Sequence, residues 1–285
     1  PLYASIIGNV INFCLNAFFL FVLHKGVAGV ATATVISRII NLVIVVLLGA
    51  VLVKAKQHPE RESNRAVMGQ IIRIGLPSAC ETAIYNVSMT LVIRFLNQMD
   101  AQGLNVTARS YTMQITNFSY CVGAALAQAN AIMTGWHIGA KEYDACDRGT
   151  KKAAVIGVIV AVILETVFTL CSGWIMQLFS KDPQMVSLVG KLLAIDIVLE
   201  IGRVTNLVYG QALKTSGDAV FPVVMGACFM ILCSVGGTYL FGIRLGLLAV
   251  GAYIGMTGDE CVRAVGMYLR WKSGKWKEKG LVKSR

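Results

Sequence analysis

Residues 153–178 read AAVIGVIVAVILETVFTLCSGWIMQL, and Glu165 is the one charged side chain among them. A helix needs about 20 mostly apolar residues to cross the hydrocarbon core of a bilayer, and this run exceeds that. It is apolar on every face, which a helix on the surface of a water-soluble globule is not. Lys151-Lys152 precede the run, and Lys181-Asp182-Pro183 follow it. Seven further stretches of the same kind surround it, at roughly 2–23, 27–53, 77–97, 106–136, 185–212, 219–242 and 245–269. The fold class expected is therefore all-α, a polytopic membrane helix bundle with eight transmembrane helices.

The composition agrees. Of 285 residues, 56% are hydrophobic and only 14% charged, and the mean hydropathy is +0.66. Soluble domains carry about 25% charged residues. That argues against a cytosolic enzyme, a secreted disulfide domain and a disordered chain. The net charge of +11 does not point to nucleic acid, because the cations sit in the short hydrophilic gaps. If every span crosses, one side collects 17 Lys and Arg in 54–76, in 137–152, at Lys214 and in the tail from Arg270. The other side holds only Lys25, Lys181 and Arg244. Cytoplasmic loops carry the excess of Lys and Arg, which predicts a cytoplasmic C-terminus.

The chain starts at Pro1 and is at once apolar, without a charged leader segment. The eight cysteines are scattered and form no C-x-x-C pair, so no metal site or disulfide framework is expected. His24, His58 and His137 lie in or beside loops with no second ligand nearby in sequence. Asn86-Val-Ser, Asn105-Val-Thr and Asn117-Phe-Ser match the glycosylation triplet, but the first and third fall inside spans. Gly251-x-x-x-Gly255 is read as a close helix contact. No phosphate-binding or nucleophile-elbow motif is present, and no convergent His/Asp or Cys/His set, so no enzyme activity is expected.

Four segments follow: a helix hairpin at 1–53, a cytoplasmic linker at 54–76, a six-helix bundle at 77–269 and a basic cytoplasmic tail at 270–285. Within the linker, residues 66–74 are amphipathic and are expected to form a short helix at the membrane interface. Residues 19–33, FLFVLHKGVAGVATA, lie over 239–253, YLFGIRLGLLAVGAY, without a gap at an offset of 220. Repeated bundles of equal orientation are found in transporters. A period of six spans implies twelve in all, so the chain is expected to be a fragment lacking about four helices at its N-terminus.

Ionisable side chains inside spans are costly, roughly 2.5–3.5 kcal/mol each on insertion scales. They are tolerated where they face water or a partner. Glu81, Glu165, Asp196 and Glu200 are the candidates for binding a coupling cation or a substrate. Glu200 and Arg203 stand three apart on one helix face and can pair, with Asp196 one turn earlier. Asp259 and Glu260 can both reach Arg263, and Arg203, Asp259, Glu260 and Arg263 are assigned to structural ion pairs.

Several stretches together resemble one family. They are Gly8-Asn-Val-Ile-Asn12 with Asn16, Gly26 through Ser37, and Gly75-Leu-Pro77-Ser-Ala with Glu81. Gly135 with Gly139-Ala-Lys-Glu142, Ala212-Leu-Lys-Thr-Ser-Gly-Asp218, and Asp259 through Trp276 complete the series. In this order they resemble the MATE (multidrug and toxic compound extrusion) family of secondary transporters, in its bacterial branch, over the whole chain. The resemblance implies a two-lobed, twelve-helix antiporter of which this chain supplies the last two helices of the N-lobe and the complete six-helix C-lobe. It implies export of organic, often cationic, compounds in exchange for Na+ or H+ across the bacterial plasma membrane. Membrane lipid, a small organic substrate and the coupling cation are the partners implied, with no further cofactor, no nucleic acid, and a monomeric full-length protein. NorM-type members carry coupling acids in the seventh and tenth helices. Those places fall near Tyr85 and Arg203 here, one turn beyond Glu81 and Glu200, and an arginine opposes a cation site. A lipid-linked saccharide flippase of the same superfamily is the alternative reading.

Overall fold

The computed structural model describes residues 2–54, 64–100 and 103–278. It divides into two compact units, Pro1–Val67 and Met68–Arg285. The α-helices among the described residues are α1 (Leu2–Ala17), α2 (Gly26–Lys54), α3 (Asn64–Met99), α4 (Leu104–Gly139) and α5 (Tyr143–Leu170). They continue with α6 (Ser172–Met176), α7 (Pro183–Thr215), α8 (Val220–Phe229) and α9 (Leu248–Lys272). α1 is prolonged by π-helical Phe18–Val22, and α8 is followed by π-helical Met230–Val235 and Thr238–Arg244.

Ser5–Val22, Gly26–Ala50, Tyr143–Leu170 and Val220–Arg244 are long and apolar enough to cross a membrane. α3, α4, α7 and α9 have 36, 36, 33 and 25 residues. They have the length to span, but α4, α7 and α9 bury charged side chains inside the bundle.

Three boundaries differ from the sequence reading. The helix expected at 66–74 is not separate, because α3 runs unbroken from Asn64 through Gly75-Leu-Pro77 to Met99. Pro77 removes one backbone hydrogen bond, whereas ending the helix in lipid would strand several. The rest of the expected linker, 55–63, lies outside the described residues. The span at 153–178 breaks at Cys171, where α5 gives way to the five-residue α6. The expected tail begins as helix, since α9 reaches Lys272 before a 3-10 turn at Lys275–Glu278. Residues 279–285 lie outside the described residues.

That turn folds back onto the second unit. Trp271 and Trp276 stack with centroids 4.2 Å apart. The Trp276 indole N–H donates to the Trp271 carbonyl at 3.0 Å, and the Trp271 indole N–H donates to Asp147 at 2.9 Å.

α7 is the centre of the second unit and packs along α4, α5 and α9. Its apolar residues form two layers. Leu192, Leu193 and Leu199 join Val92, Leu96, Ala252 and Tyr253 in one. Val204, Val208 and Leu213 join Met267, Trp271 and Trp276 in the other. Between the layers α7 presents Glu200 and Arg203, and α9 presents Asp259, Glu260 and Arg263. A belt of charge is thus sandwiched between two dry slabs.

The internal repeat is real in the backbone, but its register is 222. Leu23 N–H bonds to Phe18 O and Lys25 N–H to Phe19 O, each at 3.1 Å. Leu245 to Leu240 at 2.9 Å and Leu247 to Phe241 at 3.1 Å repeat this pattern. Two left-handed positions follow in each hairpin, His24 (φ 49°) and Gly26 (φ 53°), then Gly246 (φ 69°) and Leu248 (φ 52°). Glycine fills the second place in one hairpin and the first in the other. Matching glycine to glycine therefore slips the alignment by two residues.

The same register pairs Gly29 with Gly251, each set against a phenylalanine. A Cβ on Gly251 would lie 2.5 Å from Gly242 N and from Phe241 C, with backbone that no side-chain rotation relieves. Gly255 is similarly set against the backbone of Cys233 and Gly237, at 2.9 Å. We expect Gly251→Ala to lower stability by about 1–3 kcal/mol through overpacking. Gly258→Ala, on the same helix with nothing within 4 Å, should raise it by about 0.5–1 kcal/mol. Thermal unfolding of both variants in one detergent checks the contrast, and equal shifts would refute it.

Candidate functional site

A polar cleft runs through the second unit between α3, α4, α7 and α9. It comprises two open cavities of roughly 210 Å³ and 570 Å³ that share Tyr85, Tyr120, Arg203, Glu260 and Arg263 as a common wall. Arg203, Glu260 and Arg263 of the belt of charge therefore form part of that wall, while Asp259 faces the smaller cavity alone and Glu200 lies behind it.

The belt is one connected network. Arg203 Nη1 donates to Glu200 Oε2 at 2.6 Å, and its Nε lies 3.9 Å from Glu260 Oε1. Arg263 donates to both oxygens of Asp259 at 2.9 and 3.0 Å. Its Nη2 also stands 2.8 Å from Glu260 Oε1. Asn206 donates to Glu260 Oε2 at 3.0 Å, and Ser234 donates to Asp259 Oδ2 at 2.9 Å. Spacings of three and four along α7 and α9 put these charges on facing stripes. Arg203 also stands over the Tyr120 ring, 5.9 Å from its centroid. The residues assigned to ion pairs, Arg203, Asp259, Glu260 and Arg263, are all brought together here.

The four candidate acids have different surroundings. Glu81, one-fifth exposed on α3, lines the larger cavity, and Lys214 of α7 donates to its Oε2 at 2.6 Å. Asp196 is 2% exposed and lines the smaller cavity, and its Oδ2 has no hydrogen-bond partner. Glu200 is fully buried behind Arg203, with Oε1 unpartnered. Glu165 is fully buried in α5 and lines neither cavity. Among the described residues its carboxyl oxygens have no partner at hydrogen-bond geometry except the neighbouring Ser119 hydroxyl, which itself has no other. Ser119, Asp196, Glu200 and Arg203 are the groups that face it.

Lys214 and Arg109 are cleft residues that the sequence reading did not select. Lys214 looks like an ordinary loop cation at the end of α7, and its partner is 133 residues away. Nothing local signals that contact. The first unit carries a smaller polar seam of its own. Asn12 donates to Ser37 at 2.8 Å, and Asn16 donates to Asn12 at 3.0 Å. Offset by 222, Asn12 and Ser37 correspond to Ser234 and Asp259.

Residues 77–240 match the family model MatE. The chain is 33% identical over 287 residues to the uncharacterized transporter YisQ of Bacillus subtilis, covering 99% of this chain and 63% of that protein. It is 22% identical to human multidrug and toxin extrusion protein 2, covering 89% of this chain and 42% of that one. Its fold matches the crystal structure of a eukaryotic MATE transporter, AtDTX14, with a TM-score of 0.85 at 18% identity. That match covers 97% of this chain and 62% of the other. The chain thus spans less than two-thirds of the length of these relatives.

Proposed function

This chain belongs to the MatE family, a family of multi-pass membrane transporters, and on that footing we propose that it works in a secondary active antiporter. In this reading the protein exports small organic compounds in exchange for Na+ or H+ by alternating access. The single observation that carries it is the cleft, where Asp196, buried and with an oxygen unpartnered among the described residues, and the Glu81–Lys214 pair line a polar space inside a helical bundle. Such groups are expensive in a membrane and are kept where an ion or substrate uses them.

The Glu81–Lys214 link suggests the coupling step. An incoming cation competes with Lys214 for the same carboxylate. Both side chains are one-fifth exposed, so the link is partly screened and weak enough to exchange. The ion biases the open side only by its differential affinity for the two states. The 17-to-3 asymmetry in cations supports a cytoplasmic C-terminus in a bacterial plasma membrane. The reading extends to a twelve-helix protein whose C-lobe is 77–269 and whose N-lobe ends with the hairpin 1–53.

Dye efflux by the full-length protein in vesicles, with Na+ and pH gradients imposed separately, tests this. Efflux should follow one of the two gradients, and efflux with neither dependence would overturn the antiport reading. Glu81→Gln should lower gradient-driven efflux about tenfold or more, an estimate that takes the carboxylate as the ion's only ligand of full charge. Unchanged efflux in that variant would remove Glu81 from the coupling role.

A further inference from the structure

Arg109 of α4 is a buried guanidinium without a counter-charge among the described residues. It is 6% exposed, its Nε has no hydrogen-bond partner, and Nη2 reaches only the sulfur of Met89, at 3.6 Å. Among the described residues it forms no ion pair. A buried charge lacking its partner is strongly unfavourable, by several kcal/mol. Arg109 lines the smaller cavity, so a molecule entering there can supply the missing anion. Asp196 lines the same cavity with an unpartnered oxygen of its own. Tyr85, Tyr253 and Met256 give that cavity flat, adaptable apolar walls.

We propose that this cavity takes an amino-acid-like zwitterion with an aromatic body, its carboxylate held by Arg109 and its ammonium by Asp196. The planar fork of arginine matches a carboxylate with two parallel hydrogen bonds, and a lone ammonium offers it nothing. The inference rests on the cleft being a transport path, and it narrows the substrate from organic cations in general to compounds carrying both charges.

Three probes with one indole body separate the contributions: tryptophan, tryptamine and indole-3-propionate. Their binding to the full-length protein in nanodiscs is measured by titration calorimetry. Tryptophan should bind about tenfold or more tighter than either of the others, the worth of one charge-assisted contact. Arg109→Gln should bring tryptophan down to the affinity of tryptamine and leave tryptamine unchanged. Asp196→Asn should bring tryptophan down to that of indole-3-propionate. Arg109→Lys keeps the charge for folding and should lose part of the preference.

Equal binding of tryptophan and tryptamine by the unaltered protein would overturn the assignment, as would a preference that survives Arg109→Gln. Binding of none of the three would overturn it too. Gradient-driven dye efflux would still decide the transport reading separately.

Discussion

Arg203→Ala lowers the stability of the protein by about 3–5 kcal/mol, the cost of leaving a buried charge without its partner. The magnitude follows from the asymmetry of burial across the pair. Glu200 is completely enclosed, whereas the arginine side chain is 24% exposed. Removing Arg203 therefore strands the partner that cannot reach water. Glu260 loses its more distant contact as well, but keeps Arg263 at 2.8 Å and Asn206 at 3.0 Å. The damage should centre on Glu200. The double variant Glu200→Gln with Arg203→Ala should then recover most of the loss, because a neutral amide is far cheaper to bury. Thermal or denaturant unfolding of both single variants and the double variant forms the cycle. A double variant no more stable than Arg203→Ala would show that the pair does not account for the loss.

Glu165 should respond in opposite senses in folding and in transport. A buried carboxyl with no partner beyond the Ser119 hydroxyl costs about 1–3 kcal/mol relative to an apolar side chain of similar shape. Glu165→Leu is therefore expected to raise the unfolding free energy by an amount of that order. Leucine at this position adds no polar atom to a helix face whose neighbour Ala161 packs in the core with residues of α7. If the carboxyl carries the coupling proton, the same variant should lose gradient-driven efflux about tenfold or more. Glu165→Gln, which keeps the shape and cannot exchange a proton, should lose efflux equally with little change in stability. Function kept at the expense of stability is common for binding sites. A leucine variant that is less stable and transports normally would assign Glu165 to packing. The neighbours that decide its behaviour are Ser119 from α4 and Asp196, Glu200 and Arg203 from α7.

The part of the site legible in the sequence was the part with local spacing. Glu200 with Arg203, and Asp259 and Glu260 with Arg263, are three or four residues apart on single helices, so helical geometry alone joins each set. What joins the two sets is the facing of α7 against α9. Gly202 lets that happen, since a Cβ there would lie 2.9 Å from Cys261 N and Glu260 C. Lys214 was invisible as a site residue for the same reason. Its charge reads as a loop cation until α3 is laid beside α7. Arg109 falls within the span expected at 106–136, but its lack of an ion-pair partner among the described residues is a property of the packed bundle.

Hydropathy is a sum along the chain, and membrane crossing depends on such sums. The residues in their order were therefore enough to establish an all-helical bundle, the approximate place of its long helices and the likeness of two hairpins. Rotation of each helix about its own axis is not contained in such sums. It decides which face meets lipid, which meets a neighbour and which meets the cleft. Whether a carboxylate is orphaned, as Glu165 is, or paired, as Glu81 is, follows from contacts between residues far apart in sequence. Those contacts arise when several helices pack at once. The register of the repeat obeyed the same logic, because backbone conformation at 24, 26, 246 and 248 was shared where residue type was not.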